Sequence, residues 1–219
     1  MKSDWLAIAA SFVFIFTAIG IAEAMRKWQG YSTDFTRKFI HITVGMWSVG
    51  TVLLFKEWYM AIIPPVSFII LNYISYRQET FKAMETGKEG NLGTVYFPLS
   101  FSIIIILFWG QPHLLVASLM PMAWGDALAA VLGVRFGKFH YTVWGSTRSL
   151  EGSVSMFLFS FIATGLALWL FPPLGLGASL LYGLITAIVA TAIEAITPWH
   201  LDNLTVPLVS ATILHLLAG

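Results

Sequence analysis

Long apolar runs separated by short polar breaks organise this chain. Eight runs stand out: Trp5–Ala24, Phe39–Phe55, Tyr59–Tyr76, Tyr96–Trp109, His113–Leu132, Val154–Phe171, Ala178–Ile196 and Leu204–Ala218. A helix needs ~20 mostly apolar residues to cross a bilayer, and ~17–25 with tilt. The fourth and eighth runs are short, so a seven-span arrangement is the alternative. The pattern predicts an all-α fold: a polytopic integral membrane bundle of seven to eight transmembrane helices, in one domain over residues 1–219. Lys2, the run that follows it and Ala22-Glu23-Ala24 resemble a cleavable leader. The apolar stretch is longer than the ~7–15 residues usual for a leader, so it reads as the first span.

Composition supports that picture. The chain is 58% hydrophobic and only 11% charged, against about 25% charged in a soluble domain. There is no cysteine, which excludes disulfides, thiolate metal sites and cysteine nucleophiles. No basic tract points to nucleic acid. Oligomeric state is not legible. Charge placement sets orientation. Arg26, Lys27, Arg37, Lys38, Arg77, Lys82, Lys88, Arg135, Lys138 and Arg148 fall on one side of the eight-span arrangement, and only Lys2 and Lys56 on the other. Excess lysine and arginine marks the cytoplasmic face. Both termini are then outside, and the polar loops face the cytoplasm.

Those loops hold the candidate chemistry. Asp126 ends an apolar run after Trp124-Gly125, where a carboxylate turns to the bundle interior or a water-filled cavity and suits Mg²⁺. Gly133, Gly137 and Lys138 offer backbone approach and charge to phosphate without forming a Walker loop. A positive-inside loop with a glycine cap explains them nearly as well. Arg148-Ser149-Leu150-Glu151-Gly152 mixes a cation, a hydroxyl and a carboxylate just before a span. Arg148 can clamp phosphate, and Glu151 can bind metal or orient Arg148. Ser149 can also cap the next helix, with Glu151 in its first turn. Arg37, Lys38 and His41 open the second span, with Arg37 and His41 on one helical face. Glu194 lies late in the seventh run, and Asp202-Asn203 follows across Pro198. A turn there brings the two carboxylates toward one cation. Glu89 to Pro98, with two glycines and a proline, reads as a re-entrant segment shaping a lipid-headgroup pocket or, equally, as an ordinary loop-to-helix junction. Tyr96, Pro98 and Asn203 are its candidate lipid contacts. His113, His140, His200 and His215 show no ligand spacing. The inventory suits phosphoryl or nucleotidyl transfer, in which metal and cations neutralise phosphate charge and a base takes the acceptor proton.

In order along the chain, Arg37-Lys38…His41, Gly93-Thr94…Tyr96-Phe97-Pro98, Gly125-Asp126-Ala127…Gly133…Phe136-Gly137-Lys138, Gly145-Ser146…Ser149-Leu150-Glu151-Gly152-Ser153 and Glu194…Asp202-Asn203-Leu204-Thr205-Val206-Pro207 resemble the dolichol kinase/phytol kinase family, which includes CTP-dependent diacylglycerol kinases. The resemblance runs from about residue 34 to 208. It implies a membrane kinase that uses CTP, with Mg²⁺, to phosphorylate a lipid alcohol: dolichol or polyprenol, a phytol-like isoprenol, or diacylglycerol. It implies that Gly125 to Gly152 carries the nucleotide site, with Arg37 and Lys38 adding charge. Where many relatives have Lys-Ser, this chain has Arg148-Ser149, which exchanges an ammonium for a planar fork.

On this reading Asp126, with Glu151 or Asp202, holds Mg²⁺, and Arg148 and Lys138 neutralise the phosphates. Glu194, His41 or Asp202 accepts the hydroxyl proton. Two rivals stand beside it. A CDP-lipid synthase transfers cytidylyl instead of phosphoryl. A transporter shows charges at mid-span and paired broken helices, whereas here polar groups gather at one face and no halves repeat.

Overall fold

The computed structural model describes residues 2–78, 80–84, 92–198 and 200–219. Lys88 and the Glu89-Gly90-Asn91 portion of the expected re-entrant segment lie outside them. The helices are α1 (Lys2–Gln29), α2 (Thr33–Leu54), α3 (Trp58–Ala61), α4 (Ile63–Gln78), α5 (Gly93–Phe108), α6 (Pro112–Met120), α7 (Ala127–Phe136), α8 (Leu150–Leu170), α9 (Leu176–Ile196) and α10 (Asp202–Ala218). A π-helical turn, Pro121–Asp126, joins α6 to α7 without a break. With α3–α4 and α6–α7 each taken as one rod, eight helical segments follow the eight predicted runs in order. The protein is a membrane helix bundle. Five segments are long and apolar enough to cross a bilayer: Ser3–Gln29, Trp58–Gln78, Pro112–Phe136, Leu150–Leu170 and Leu176–Ile196. α5 and α10 are the shorter apolar helices, as the run lengths predicted.

Local chemistry explains the boundaries. α1 stops at Gly30, whose φ of 70° takes the left-handed conformation, and the Tyr31 N–H returns to the Met25 carbonyl at 3.4 Å. Ser32 then caps α2 by accepting the Phe35 N–H at 3.3 Å. At the far end of these two helices, the Asp4 carboxylate accepts the Lys56 N–H at 2.7 Å and ties the start of α1 to the turn after α2. Pro98 lies inside α5, where it removes the donor that would serve the Thr94 carbonyl. Asn72 of α4 supplies a replacement, its Nδ2 donating to that carbonyl at 2.7 Å.

The α6–α7 rod is the centre of the bundle. Of its apolar stretch 78% is buried, against 28% for α9. Leu114, Leu115, Leu119 and Met122 have no exposed surface. α8 packs on α6, α7, the π-helical turn and α9. Its outer face exposes Val154, Leu158, Ile162, Leu166 and Leu170, one every fourth residue. Such an apolar stripe is costly in water and ordinary against lipid. The inner contacts use small residues, because close backbone approach gives the packing that lipid cannot drive. A Cβ on Gly183 of α9 would lie 3.0 Å from the Gly165 Cα of α8.

The apolar pattern leaves the stretch between Leu132 and Val154 as a polar break in an all-α fold; the structure builds a hairpin within it. Strands β1 (His140–Val143) and β2 (Ser146–Ser149) pair antiparallel with Tyr141 opposite Arg148. The two turn residues, Trp144 and Gly145, have φ of 48° and 78°, the handedness that a two-residue type I′ hairpin needs. The remaining described elements are helical.

Gly183→Val is expected to lower the unfolding free energy of the detergent-solubilised protein by about 1–3 kcal/mol through backbone overpacking. Gly177→Ala, where a Cβ meets open space, is expected to leave stability at or above wild type. Denaturant midpoints of the two variants check both.

Candidate functional site

Three carboxylates from separated parts of the chain meet inside the bundle. Asp126 ends the π-helical turn and is 5% exposed. A wide π turn shifts the following side chains around the rod, and such turns recur at functional sites. Glu194 lies in the last turn of α9 and Asp202 opens α10. One ligand oxygen from each falls within 4.8 Å of the other two.

Two cations face them. Lys38 of α2 donates from Nζ to Asp126 Oδ2 at 2.5 Å. Arg148 of β2 donates from Nε to Glu194 Oε1 at 2.7 Å and from Nη2 to the Thr197 carbonyl at 2.8 Å. The hairpin turn sets the register that brings Arg148 there, and Ser149 ends the strand while capping α8 through the Gly152 N–H at 3.1 Å. Arg148 Nη1 is buried without a hydrogen-bond partner. A guanidinium has five N–H donors in a planar fork, so this edge is suited to a further oxygen such as that of a phosphate. His41, 4% exposed, stacks on Phe97 with centroids 5.1 Å apart, and its Nδ1 lies 4.0 Å from Asp126 Oδ2.

The donor set suits a divalent cation. Three ionised carboxylates against Lys38 and Arg148 leave one negative charge in excess, and like charges at this separation repel strongly away from water. Asp126 and Glu194 each pair through one oxygen, which leaves the other to offer. Hard oxygen ligands of this kind hold Mg²⁺, which commonly takes one or two carboxylates and completes its shell with water and phosphate.

The other predicted site residues fall around this centre in different ways. Arg37 is buried against Gly93 and Asn203. Asn203 is a structural tie, donating from Nδ2 to the Gly93 carbonyl at 2.7 Å. Pro98 lines an apolar cavity that His41 also lines, while half-buried Tyr96 does not. The structure does not bring Glu151 into the carboxylate group. It caps backbone instead, accepting the Phe139 N–H at 3.4 Å from the first turn of α8. Lys138 is exposed beyond α7. Gly133, Gly137 and Gly152 let α7 and α8 approach: a Cβ on Gly133 would lie 2.9 Å from Ser149 Oγ and 3.3 Å from the Gly152 Cα, and one on Gly137 would lie 2.8 Å from the Ser149 Cβ. Thr197, Asn72 and the hairpin join the site without standing among the residues the sequence singled out. An asparagine inside an apolar run was the available sign for Asn72.

The chain matches curated proteins along most of its length. It is 30% identical over 217 residues to a phytol kinase of Synechocystis sp., covering 95% of this chain and 90% of that protein. It is 26% identical over 211 residues to the chloroplastic phytol kinase 1 of Arabidopsis thaliana, covering 88% of this chain and 68% of the relative. It is 25% identical over 229 residues to the chloroplastic farnesol kinase of the same plant, covering 95% and 74%. No family model and no solved structure matches. Both the ordered motifs and this near-complete match to the Synechocystis protein say that the chain belongs to the polyprenol/phytol kinase family.

Proposed function

We propose that this protein is a lipid-alcohol kinase that transfers the γ-phosphate of CTP to the hydroxyl of a membrane isoprenoid alcohol. The observation that carries this reading is the convergence of Asp126, Glu194 and Asp202 with Lys38 and Arg148 beside an apolar cavity. The names of the relatives, phytol kinase and farnesol kinase, favour an isoprenoid over dolichol or diacylglycerol as acceptor. CTP as donor and a cytoplasmic site are expectations of the family resemblance and of the lysine–arginine asymmetry.

The reaction needs little covalent help from the protein. The acceptor oxygen forms a bond to the γ-phosphorus, the bond from that phosphorus to the β-bridging oxygen breaks, and CDP leaves with its electron pair. Asp126, Glu194 and Asp202 are the residues that would hold Mg²⁺. Bound there, such an ion would supply positive charge against the phosphates of the donor. Arg148 presents Nη1 to phosphate, while Glu194 and Thr197 fix its plane. Lys38 supplies a second positive charge beside Asp126. Of the three candidate bases, His41 is the one that lines the apolar cavity, and its unpartnered Nδ1 takes the hydroxyl proton.

Asp126→Asn, Glu194→Gln and Asp202→Asn are each expected to lower kcat by about 10²–10³-fold. Glu151→Gln, outside the carboxylate group, is expected to retain most activity. Size-exclusion profiles accompany these assays, because Asp126→Asn strands the buried Lys38 charge. Purified protein given CTP labelled on the γ-phosphate, Mg²⁺ and a panel of phytol, farnesol, polyprenol and diacylglycerol is expected to place label in an organic-soluble prenyl monophosphate. Label entering lipid from the α-phosphate would identify a cytidylyltransferase instead, and labelled ATP in parallel tests the donor.

A further inference from the structure

A narrow cavity runs between α1, α2, α4 and α5, with Ile15, Ile40, Val44, Phe68 and Phe101 in its walls. Its two ends differ. At one end stand His41, Asn72 and Thr94, whose Nδ1, Oδ1 and Oγ1 atoms are buried without hydrogen-bond partners. Unsatisfied buried polar atoms are costly, and three around one cavity end point to a polar group that binds there. At the other end are Ser11, Thr51 and Ala61. That end is bridged: Trp47 Nε1 donates to Ser11 Oγ at 3.0 Å across α1 and α2, and the Asp4 carboxylate accepts the Lys56 N–H at 2.7 Å.

Resting on the kinase reading above, we propose that this cavity is the slot for the acceptor's prenyl chain, with its bridged end acting as a length ruler. The chain's hydroxyl lies among His41, Asn72 and Thr94. A hydroxyl both donates and accepts, so it can donate to His41 Nδ1 or Asn72 Oδ1 and accept from Thr94 Oγ1. His41 joins this end to the carboxylate cluster, with Nδ1 4.0 Å from Asp126 Oδ2. An alcohol seated here therefore presents its oxygen to the phosphate-transfer centre.

Length follows from the helix. His41 and Thr51 both line the cavity on α2, and the ten steps between them at 1.5 Å each span about 15 Å. An extended chain of single bonds advances about 1.2 Å per bond, judged from the reach of a polypeptide backbone. The slot thus holds about a dozen bonds, the main chain of farnesol, and a phytyl chain, about four bonds longer, exceeds it by about 5 Å. One narrow cavity has room for one chain, which disfavours two-chain diacylglycerol. The bridged end disfavours long polyprenols.

A farnesol analogue carrying a terminal diazirine tests the slot without turnover. On irradiation with the purified full-length protein, adducts are expected on the peptides containing Thr51 and Ala61. Excess farnesol is expected to suppress them, and an equal concentration of dolichol-length polyprenol is not. Adducts on the lipid-facing surfaces of α8 and α9, or equal suppression by polyprenol, would overturn the proposal. Ala61→Phe raises the floor. It is expected to lower the ratio of farnesol to geraniol phosphorylation by about tenfold, the scale set by one or more misfit methylenes. Thr51→Leu does the same more gently should the larger change disturb folding. An unchanged ratio in a folded variant would also overturn the ruler. Labelling in the slot with no phosphorylation of any acceptor would count against the kinase reading alone. Phosphorylation of farnesol with labelling elsewhere would count against the slot alone.

Discussion

Charge buried in an apolar bundle has to be paired, and the pairs Lys38–Asp126 and Arg148–Glu194 are the constraint on which the site's architecture depends. Removing ions from water costs several kcal/mol each, and mutual attraction repays this only with good geometry. A bundle selected for stability alone would fill the same space with leucine. The charges persist at a position where α2, the π-helical turn, the hairpin and α9 all meet. Asp202 adds a third carboxylate beside these two pairs, so the cluster keeps an excess of negative charge that a divalent ion and a phosphate donor can use together.

The irregular backbone follows from that constraint. Non-helical or distorted backbone at membrane depth survives where protein or a polar cavity surrounds it. The π turn ends on Asp126 within the most deeply buried rod. The hairpin carries Arg148 toward Glu194, and its last residue caps the next helix. Pro98 frees a carbonyl that Asn72 recovers, which also places Asn72 at the polar end of the cavity between α1, α2, α4 and α5. Each departure from regular helix thus positions a polar group.

Much of this was legible in the chain. Apolar run length marked all eight helical segments, and polar residues at run ends marked Asp126, Arg148, Glu194, Asp202 and His41, because polar side chains are expensive near lipid and stand out against it. What stayed hidden depends on distances between remote residues. Glu151 and Lys138 sit in the same motif-rich stretch as Arg148, yet strand register turns Arg148 inward while Glu151 caps backbone and Lys138 is exposed. Gly133 and Gly152 resemble phosphate-loop glycines in sequence and separate α7 from α8 by less than a Cβ would allow. The hairpin was missed because Tyr141-Thr142-Val143 is too short a strand signal beside runs of twenty apolar residues. Asn72 matters through the proline-freed carbonyl it meets on another helix, which local pattern does not encode.

The central claim is that Asp126, Glu194 and Asp202 together hold a divalent cation with the phosphate donor. Mn²⁺ in place of Mg²⁺ makes this visible by electron paramagnetic resonance on the purified protein. The account predicts a bound-Mn²⁺ signal that strengthens with CTP and is lost in Asp126→Asn and in Asp202→Asn. A signal of undiminished occupancy in both folded variants, or phosphate transfer that proceeds unchanged in excess chelator, would contradict it.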